Sequence, residues 1–560
     1  MTGFASRLKS RLVIHEKNAN GELQPVDFLS NEDIRPVKIQ DRTWTFSTYL
    51  IFWFSAIATV SNWYVASVGL SVGLSVWESI GCMFGGQILA GILVAFNGRA
   101  GAVYRIGYPV FARASFGVYG AWWPAFNRVI MAIVWNGVNM VQGAQCVYVM
   151  LHAIFPSIAR MKNTMGPGSA LSSAQMICFA IFWIVVCAFL VIPIPKMRGL
   201  VYAKLVVFVC SAIAMLAWTL TLAGGIGPVV TQGSTIHGTE KSWMLARFFW
   251  LGLASYGTFI SNAADFQRYA RRPNDTIPGQ VISFPLANLV VMLVGTIIAA
   301  SSQIIFGELV WNPLDVLNRL MEGEKYTPGN RAGCFFISLA FVYSGIFSSI
   351  FENSIPAGND IAALLPKCLN IKRAFFVCAV VSIAICPWYL LASASVFINF
   401  LSSYQIFLSA IGGILICDYY VINRGDLAIS ALYTRDPTEP YHFLHGFNLR
   451  AFAAYIVAVA PNFYGFLNAL GVPAPAGVER FYYVAYPVGF LVAFFVYWGL
   501  CLAFPPQKMN DWRVWSEPRD YVDEHDPSGP LQGQSCQSMS MGDSEVGRVL
   551  VTGKSSSEKA

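Results

Sequence analysis

Charge is scarce in this chain. Only 12% of its 560 residues are Asp, Glu, Lys or Arg, where a soluble domain carries about 25%. A solvated globular protein of this length is thereby excluded. Cysteine pairing is also missing. The twelve cysteines contain no CxxC pair and no His partner at metal spacing, and most lie inside apolar segments, such as Cys178, Cys187, Cys210 and Cys417. They read as small apolar packing residues. The six histidines avoid the centres of those segments, which argues against a metalloenzyme and a histidine proton relay. No catalytic dyad stands out, so neither an enzyme nor a cofactor is expected. The first forty or so residues have no basic region followed by an apolar one, so no cleavable signal peptide is expected. Alternating ten-residue strands are absent as well, which disfavours a transmembrane barrel.

What the chain does have is apolar length. It is 56% hydrophobic with a mean hydropathy of +0.54. Runs of about 20 residues, each able to span roughly 30 Å of hydrocarbon as a helix, recur about twelve times. They lie near 45–70, 76–97, 118–155, 172–193, 199–223, 243–264, 281–306, 332–357, 373–393, 397–421, 449–470 and 482–504, numbered here as spans 1 to 12. The third is too long for one crossing and reads as a tilted helix with an extramembrane end. The chain divides into an N-terminal tail (1–43), a membrane domain (44–505) and a Ser-, Gly- and charge-rich tail (506–560) whose composition predicts disorder. Lys9, Lys17, Lys554 and Lys559 in the tails could accept ubiquitin or other trafficking modifications; solvated lysines are the plainer reading.

Basic residues set the orientation. Arg99, Arg105 and Arg113 lie between spans 2 and 3, Lys196 and Arg198 between 4 and 5, Arg268, Arg271 and Arg272 after 6, and Lys367, Lys372 and Arg373 after 8. The alternate loops are poorer, although Arg319, Lys325 and Arg331 blur the 7–8 loop. The positive-inside rule then puts both termini in the cytoplasm, in a multi-pass protein of the plasma membrane. The net charge of +7 reflects this loop bias rather than nucleic-acid binding.

Polar residues inside the spans mark function. From Cys334 to Asp360 the chain reads CFFISLAFVYSGIFSSIFENSIPAGND. A charged side chain in hydrocarbon costs from about 2.5 to above 10 kcal/mol, so Glu352 is not incidental there. Ser344, Ser348 and Glu352 recur every fourth residue, as do Ser349 and Asn353, and helical geometry puts each series on one face. Spans 1 and 6 look interrupted, with Ser67, Gly69, Ser71 and Gly73 in one and Gly252, Ser255, Gly257 and Asn262 in the other. Small residues can simply serve close packing. Interrupted helices at matching places in two halves, however, point to the binding site of an inverted-repeat transporter. In span 3, Trp135, Asn139 and Gln142 share a stripe. An indole face and amides with both donor and acceptor suit a planar heterocycle, or equally a tryptophan packed in the bundle beside interhelical amide bonds.

Five segments carry a resemblance: NEDIRPV before span 1, GVYGAWWPAFNRVIMAIVWNGV into span 3, SNAADFQRYARRPNDTIPGQ after span 6, NSIPAGNDIAALLPKCLNIKR after span 8, and CPWYLLASASVFINFLSSYQIFLSAIGGILICDYYVINRG through span 10. From about Asn31 to Pro506 the chain resembles the nucleobase:cation symporter-1 family, in its fungal branch of uracil, allantoin, uridine and thiamine permeases. The resemblance implies an all-α, LeuT-type fold of two inverted five-helix repeats plus two helices, with alternating access to a site between spans 1, 3, 6, 8 and 10. It assigns ring stacking to Trp135 and Tyr256, polar contacts to Asn139 and Asn353, and the cytoplasmic gate to Asp33 and Asp360, with Arg268 as a basic partner. Three departures stand out. Ala56 replaces a common acidic residue of span 1, Ser349 replaces a second Asn of span 8, and Glu352 stands where a small or apolar residue is usual. The expectation is that the proton-titrating group has moved to Glu352; a structural Glu352, bonded to Ser348 or a neighbouring helix, is the alternative. Of two hydroxyl ligands that the sodium-coupled bacterial relative has in span 8, only Ser348 matches, with Phe347 at the other, so H+ is favoured over Na+. The implied activity is import of uracil, allantoin, uric acid or a nucleoside. A thiamine-type carrier using Glu352 as counter-ion, or a nutrient transceptor, is the rival.

Overall fold

A computed structural model of the chain describes residues 15–17, 23–25, 27, 29–30, 34–166, 168–192, 197–365, 367–511 and 513–518. Among them the architecture is helical throughout. The exception is a short antiparallel pairing of His15–Lys17 with Leu23–Pro25. Eight helices are long and apolar enough to cross a membrane: Val76–Tyr104, Ser173–Leu190, Gly199–Leu222, Pro273–Phe306, Pro328–Leu364, Ala394–Ile422, Leu449–Ala469 and Ala485–Ala503. Phe46–Ile57 and Val60–Ser71, bent by 64° at their junction, together form a ninth. These correspond to spans 2, 4, 5, 7, 8, 10, 11, 12 and 1. The remaining expected spans are helical but shorter or more polar. Span 3 is the 33-residue helix Trp122–Ile154, carrying Arg128, Asn136, Asn139 and Gln142. Span 6 is broken into Gly238–Ala254, Gly257–Ser261 and Ala263–Gln267. Span 9 has only the 14 residues Ile371–Ala384.

Small residues bring the helices into contact. Span 2 runs along span 6, where a Cβ on Gly86 would lie 2.1 Å from the Phe249 carbonyl oxygen and one on Gly252 would lie 2.5 Å from that of Met83. The two backbones touch there, which only glycine permits. Span 8 packs on span 3, and span 12 on span 10.

The helix breaks that the site needs have local causes. Span 1 stops at Ile57 and restarts at Val60 with Thr59 as N-cap, its hydroxyl accepting from the Asn62 amide. A break in the membrane strands carbonyls that must find donors. Here the donors are side chains. Asn62 Nδ2 donates to the Ile57 oxygen at 2.9 Å, Ser344 Oγ to that of Ala58 at 3.2 Å, and Lys204 Nζ to that of Ser55 at 2.7 Å. Span 8 runs as an α-helix to Ser348, widens into a π-helical turn over Ser349–Ser354, and resumes at Ile355 with Pro356 in its first turn. Such π turns concentrate at functional positions. This one carries Glu352 and Asn353.

Candidate substrate and ion site

The break in span 1, the middle of span 3 and the end of the α-helical part of span 8 meet at one polar locus. Ser61 Oγ donates to Asn139 Oδ1 at 2.6 Å and also lies in hydrogen-bond contact with Gln142 Oε1. Thr59, Ser61, Asn139, Gln142, Ser344 and Ser348 line a cavity of about 20 Å³ there. That is room for a single water molecule, which needs at least 10–15 Å³, and not for a heterocycle. The Ser61 hydroxyl contacts the oxygens of both span 3 amides, and Gln142 Nε2 is without a partner among the described residues.

The aromatic residues flank this locus. Trp135 meets Phe400 of span 10, with ring centroids 5.3 Å apart and planes at 58°. Tyr256, in the break of span 6, turns toward spans 1 and 7. Its hydroxyl donates to Asn62 Oδ1 at 3.0 Å and contacts Asn288 Oδ1, and its ring meets Phe284 edge-on at 5.0 Å. Trp135 thus packs against Phe400 in a tilted contact, and Tyr256 links the two broken helices to span 7. Asn353 is buried at 6% exposure within the π turn, and Ser348 Oγ bonds back to the Ser344 oxygen at 3.0 Å.

Glu352 has a partner that the sequence reading missed. Its Oε1 lies 3.1 Å from Lys204 Nζ, with the Lys204 side chain only 3% exposed. The same ammonium donates to the Ser55 carbonyl at the span 1 break. One cation from span 5 therefore joins the π turn of span 8 to the unwound part of span 1. The available signal was a single lysine inside an otherwise apolar run, AKLVVFVC. It was overshadowed by Lys196 and Arg198 just upstream in the sequence.

The residues expected at the cytoplasmic gate are not paired with one another among the described residues. Asp33 lies outside the described residues. Asp360 is fully buried, and neither carboxylate oxygen has a hydrogen-bond partner; the charged groups it faces are Arg128 and Asp265. Arg268 sits over the Tyr269 ring at 5.1 Å and faces Asp265, which also accepts from the Tyr108 amide at 2.8 Å. With the Asn262 amide oriented to satisfy its neighbours, its oxygen accepts from Arg128 at 2.8 Å. Arg128 and Asp265 both lay within segments that carried the resemblance, yet neither was singled out.

Residues 36–489 match the family described as permease for cytosine/purines, uracil, thiamine, allantoin. This chain belongs to that family, the nucleobase:cation symporter-1 transporters. It is 37% identical to the uridine permease of Saccharomyces cerevisiae, over 89% of this chain and 79% of the relative. It is 36% identical to the allantoin permease of the same yeast, over 88% of this chain and 79% of the relative. Among solved structures, the inward-facing conformation of Mhp1 superposes with a TM-score of 0.67 at 19% identity, covering 88% of this chain and 96% of that one. The last likeness concerns the fold. The chain is a multi-pass, all-α membrane transporter whose relatives are permeases.

Proposed function

We propose that this transporter is a proton-driven importer of a small planar nitrogen heterocycle, of the uracil, allantoin, uric acid or nucleoside class. It works by alternating access in the plasma membrane with both termini in the cytoplasm. The relatives named for uridine and allantoin support the substrate class. So does the chemistry of the locus, where the Asn139 and Gln142 amides meet the span 1 break. A flat ring entering from the open state would displace Phe400 from Trp135. Asn139, Gln142 and Asn353 would then read its N–H and C=O edge once Ser61 lets go of the two span 3 amides.

The observation that carries the coupling is the Lys204–Glu352 pair. Sodium needs several oxygen ligands, and here the Ser55 carbonyl and the Glu352 carboxylate are already taken by an ammonium. A second cation beside it would be repelled. A proton needs no such space. Adding to Glu352, it dissolves the ion pair and frees Lys204 from its tie to span 8, and the Ser55 carbonyl at the span 1 break loses an anchored donor. Proton loading thereby bears on the very helix break that must move for access to alternate. Asp360, with Asp33 and Arg268, serves as the cytoplasmic gate in this reading, and Arg128 and Asp265 belong with them. A thiamine-like cation would need Glu352 free as its counter-ion, which Lys204 opposes.

The test is uptake of radiolabelled uracil, allantoin, urate, uridine and thiamine by permease-null cells at two external pH values. The reading expects uptake of a heterocycle to rise at acid pH, and Glu352→Gln to remove that rise. Normal pH dependence in Glu352→Gln would refute the coupling role. Competition by thiamine alone would select the rival.

A further inference from the structure

The residues just past span 12 do not hang free, although composition placed them in a disordered tail. Lys508 Nζ lies 3.1 Å from Asp426. The Asn510 backbone amide donates to the Ile422 oxygen at 3.1 Å, and its side chain to that of Asn423 at 2.7 Å. Trp515 stacks on Tyr420 with centroids 5.7 Å apart and planes at 20°, and the Arg424 guanidinium lies 5.5 Å from the Trp515 ring centre. The Ser516 amide donates to the Arg424 oxygen at 2.9 Å. All of these hold the segment to the end of span 10.

Glu517 then reaches across to a different element. Both its oxygens accept from Arg99 Nε, at the end of span 2, at 3.1 Å, and Arg99 Nη2 adds a further contact. The Tyr419 hydroxyl donates to the same carboxylate at 2.9 Å. The Glu517 side chain is 9% exposed and that of Arg99 17%, so this is a sheltered, multiply bonded pair of the strong kind. Arg99 Nη1 continues to Asn274 Oδ1, in the connection between spans 6 and 7, at 2.9 Å. The receiving groove is shaped for the strap. Gly425 has φ +83°, and a Cβ there would lie 2.8 Å from both Glu517 Cβ and Trp515 Cζ2.

We propose that Trp515-Ser516-Glu517 is a releasable latch. The ends of spans 2 and 10 and the 6–7 connection form a docking groove for an aromatic–acidic segment, which the chain fills with its own tail. While filled, the groove ties the broken-helix side of the transporter to span 10 on the face that carries both termini. That face must open once per transport cycle, so the latch acts on the step that opens it.

Hydrogen–deuterium exchange on the purified full chain in lipid nanodiscs tests this without any transported compound, so its outcome is independent of the substrate proposed above. Two segments are followed: 508–518, and 268–283, whose Arg271 amide donates to the Trp44 oxygen at 2.7 Å. Glu517→Ala is expected to speed exchange at least tenfold in both. Gly425→Ala, which crowds the groove without touching either charge, is expected to do the same, and the exchanged pair Arg99→Glu with Glu517→Arg to restore protection. Should Glu517→Ala fold poorly, Glu517→Gln keeps the shape and removes the charge. Faster exchange confined to 508–518 would show a passive tail and overturn the latch, as would unchanged exchange in both segments.

Discussion

Two polar clusters meet the break in span 1, and they are built on opposite principles. On the span 3 side, the neutral Ser61 hydroxyl lies between the amide oxygens of Asn139 and Gln142, and Gln142 Nε2 is left without a partner among the described residues. On the span 8 side, Glu352 is neutralised by a full charge, Lys204, brought from span 5. Neutral amide contacts contribute about 0.5–1.5 kcal/mol each and exchange readily for contacts with a ligand. A buried ion pair does not exchange cheaply, because losing one partner strands the other charge at about 3–5 kcal/mol. The first arrangement suits reversible recognition of a neutral heterocycle, the second a switch thrown by one proton.

The contrast can be broken from the charged side first. Lys204→Met leaves Glu352 buried without its cation and should cost about 3–5 kcal/mol, read as a large loss of thermal stability in detergent. Lys204→Met with Glu352→Leu should recover most of it, because the stranded charge is gone. Removal of the stacking surface comes next. Trp135→Ala should weaken substrate binding by roughly five- to 150-fold, with surface expression intact, since one stacked ring contributes about 1–3 kcal/mol; the concentration dependence of uptake reads it. Asn353→Ala should do likewise. On the neutral side, Ser61→Ala should cost only about 1 kcal/mol in a thermal-shift measurement while leaving the pH dependence of uptake in place. Arg435→Ala, removing the exposed pair with Asp27, should change stability by no more than about 1 kcal/mol and leave uptake unaltered.

The sequence made the apolar spans visible because hydrophobic length is local. In span 6 the small residues Ser255 and Gly257 fall at the break itself, between 254 and 257. In span 1 the expected interruption at Ser67, Gly69, Ser71 and Gly73 is corrected by the structure: Val60–Ser71 is one unbroken helix, and the chain breaks instead between Ile57 and Val60. Trp135, Asn139 and Asn353 could be named because polar side chains in apolar helices are conspicuous. Their partners could not, since contacts between helices are set by packing far apart in the chain. Lys204 lies 148 residues from Glu352, and Ser61 lies 78 from Asn139. The turn of Tyr256 toward Asn62 and Asn288, and the pairing of Trp135 with Phe400, likewise depend on how the broken helices settle. Composition predicted disorder for the tail from Pro506 onward, and for the docked residues up to Glu517 that expectation does not hold. It could not reveal that Trp515 and Glu517 have a shaped groove waiting beside Gly425.

The most direct measurement is radiolabelled heterocycle uptake into proteoliposomes under an imposed inward proton gradient in sodium-free buffer, comparing the native chain with Glu352→Gln. The account predicts accumulation above equilibrium by the native chain, collapsing when the gradient is dissipated, and no gradient-driven accumulation by Glu352→Gln. Accumulation that requires sodium, or an equal response to the proton gradient in Glu352→Gln, would contradict it.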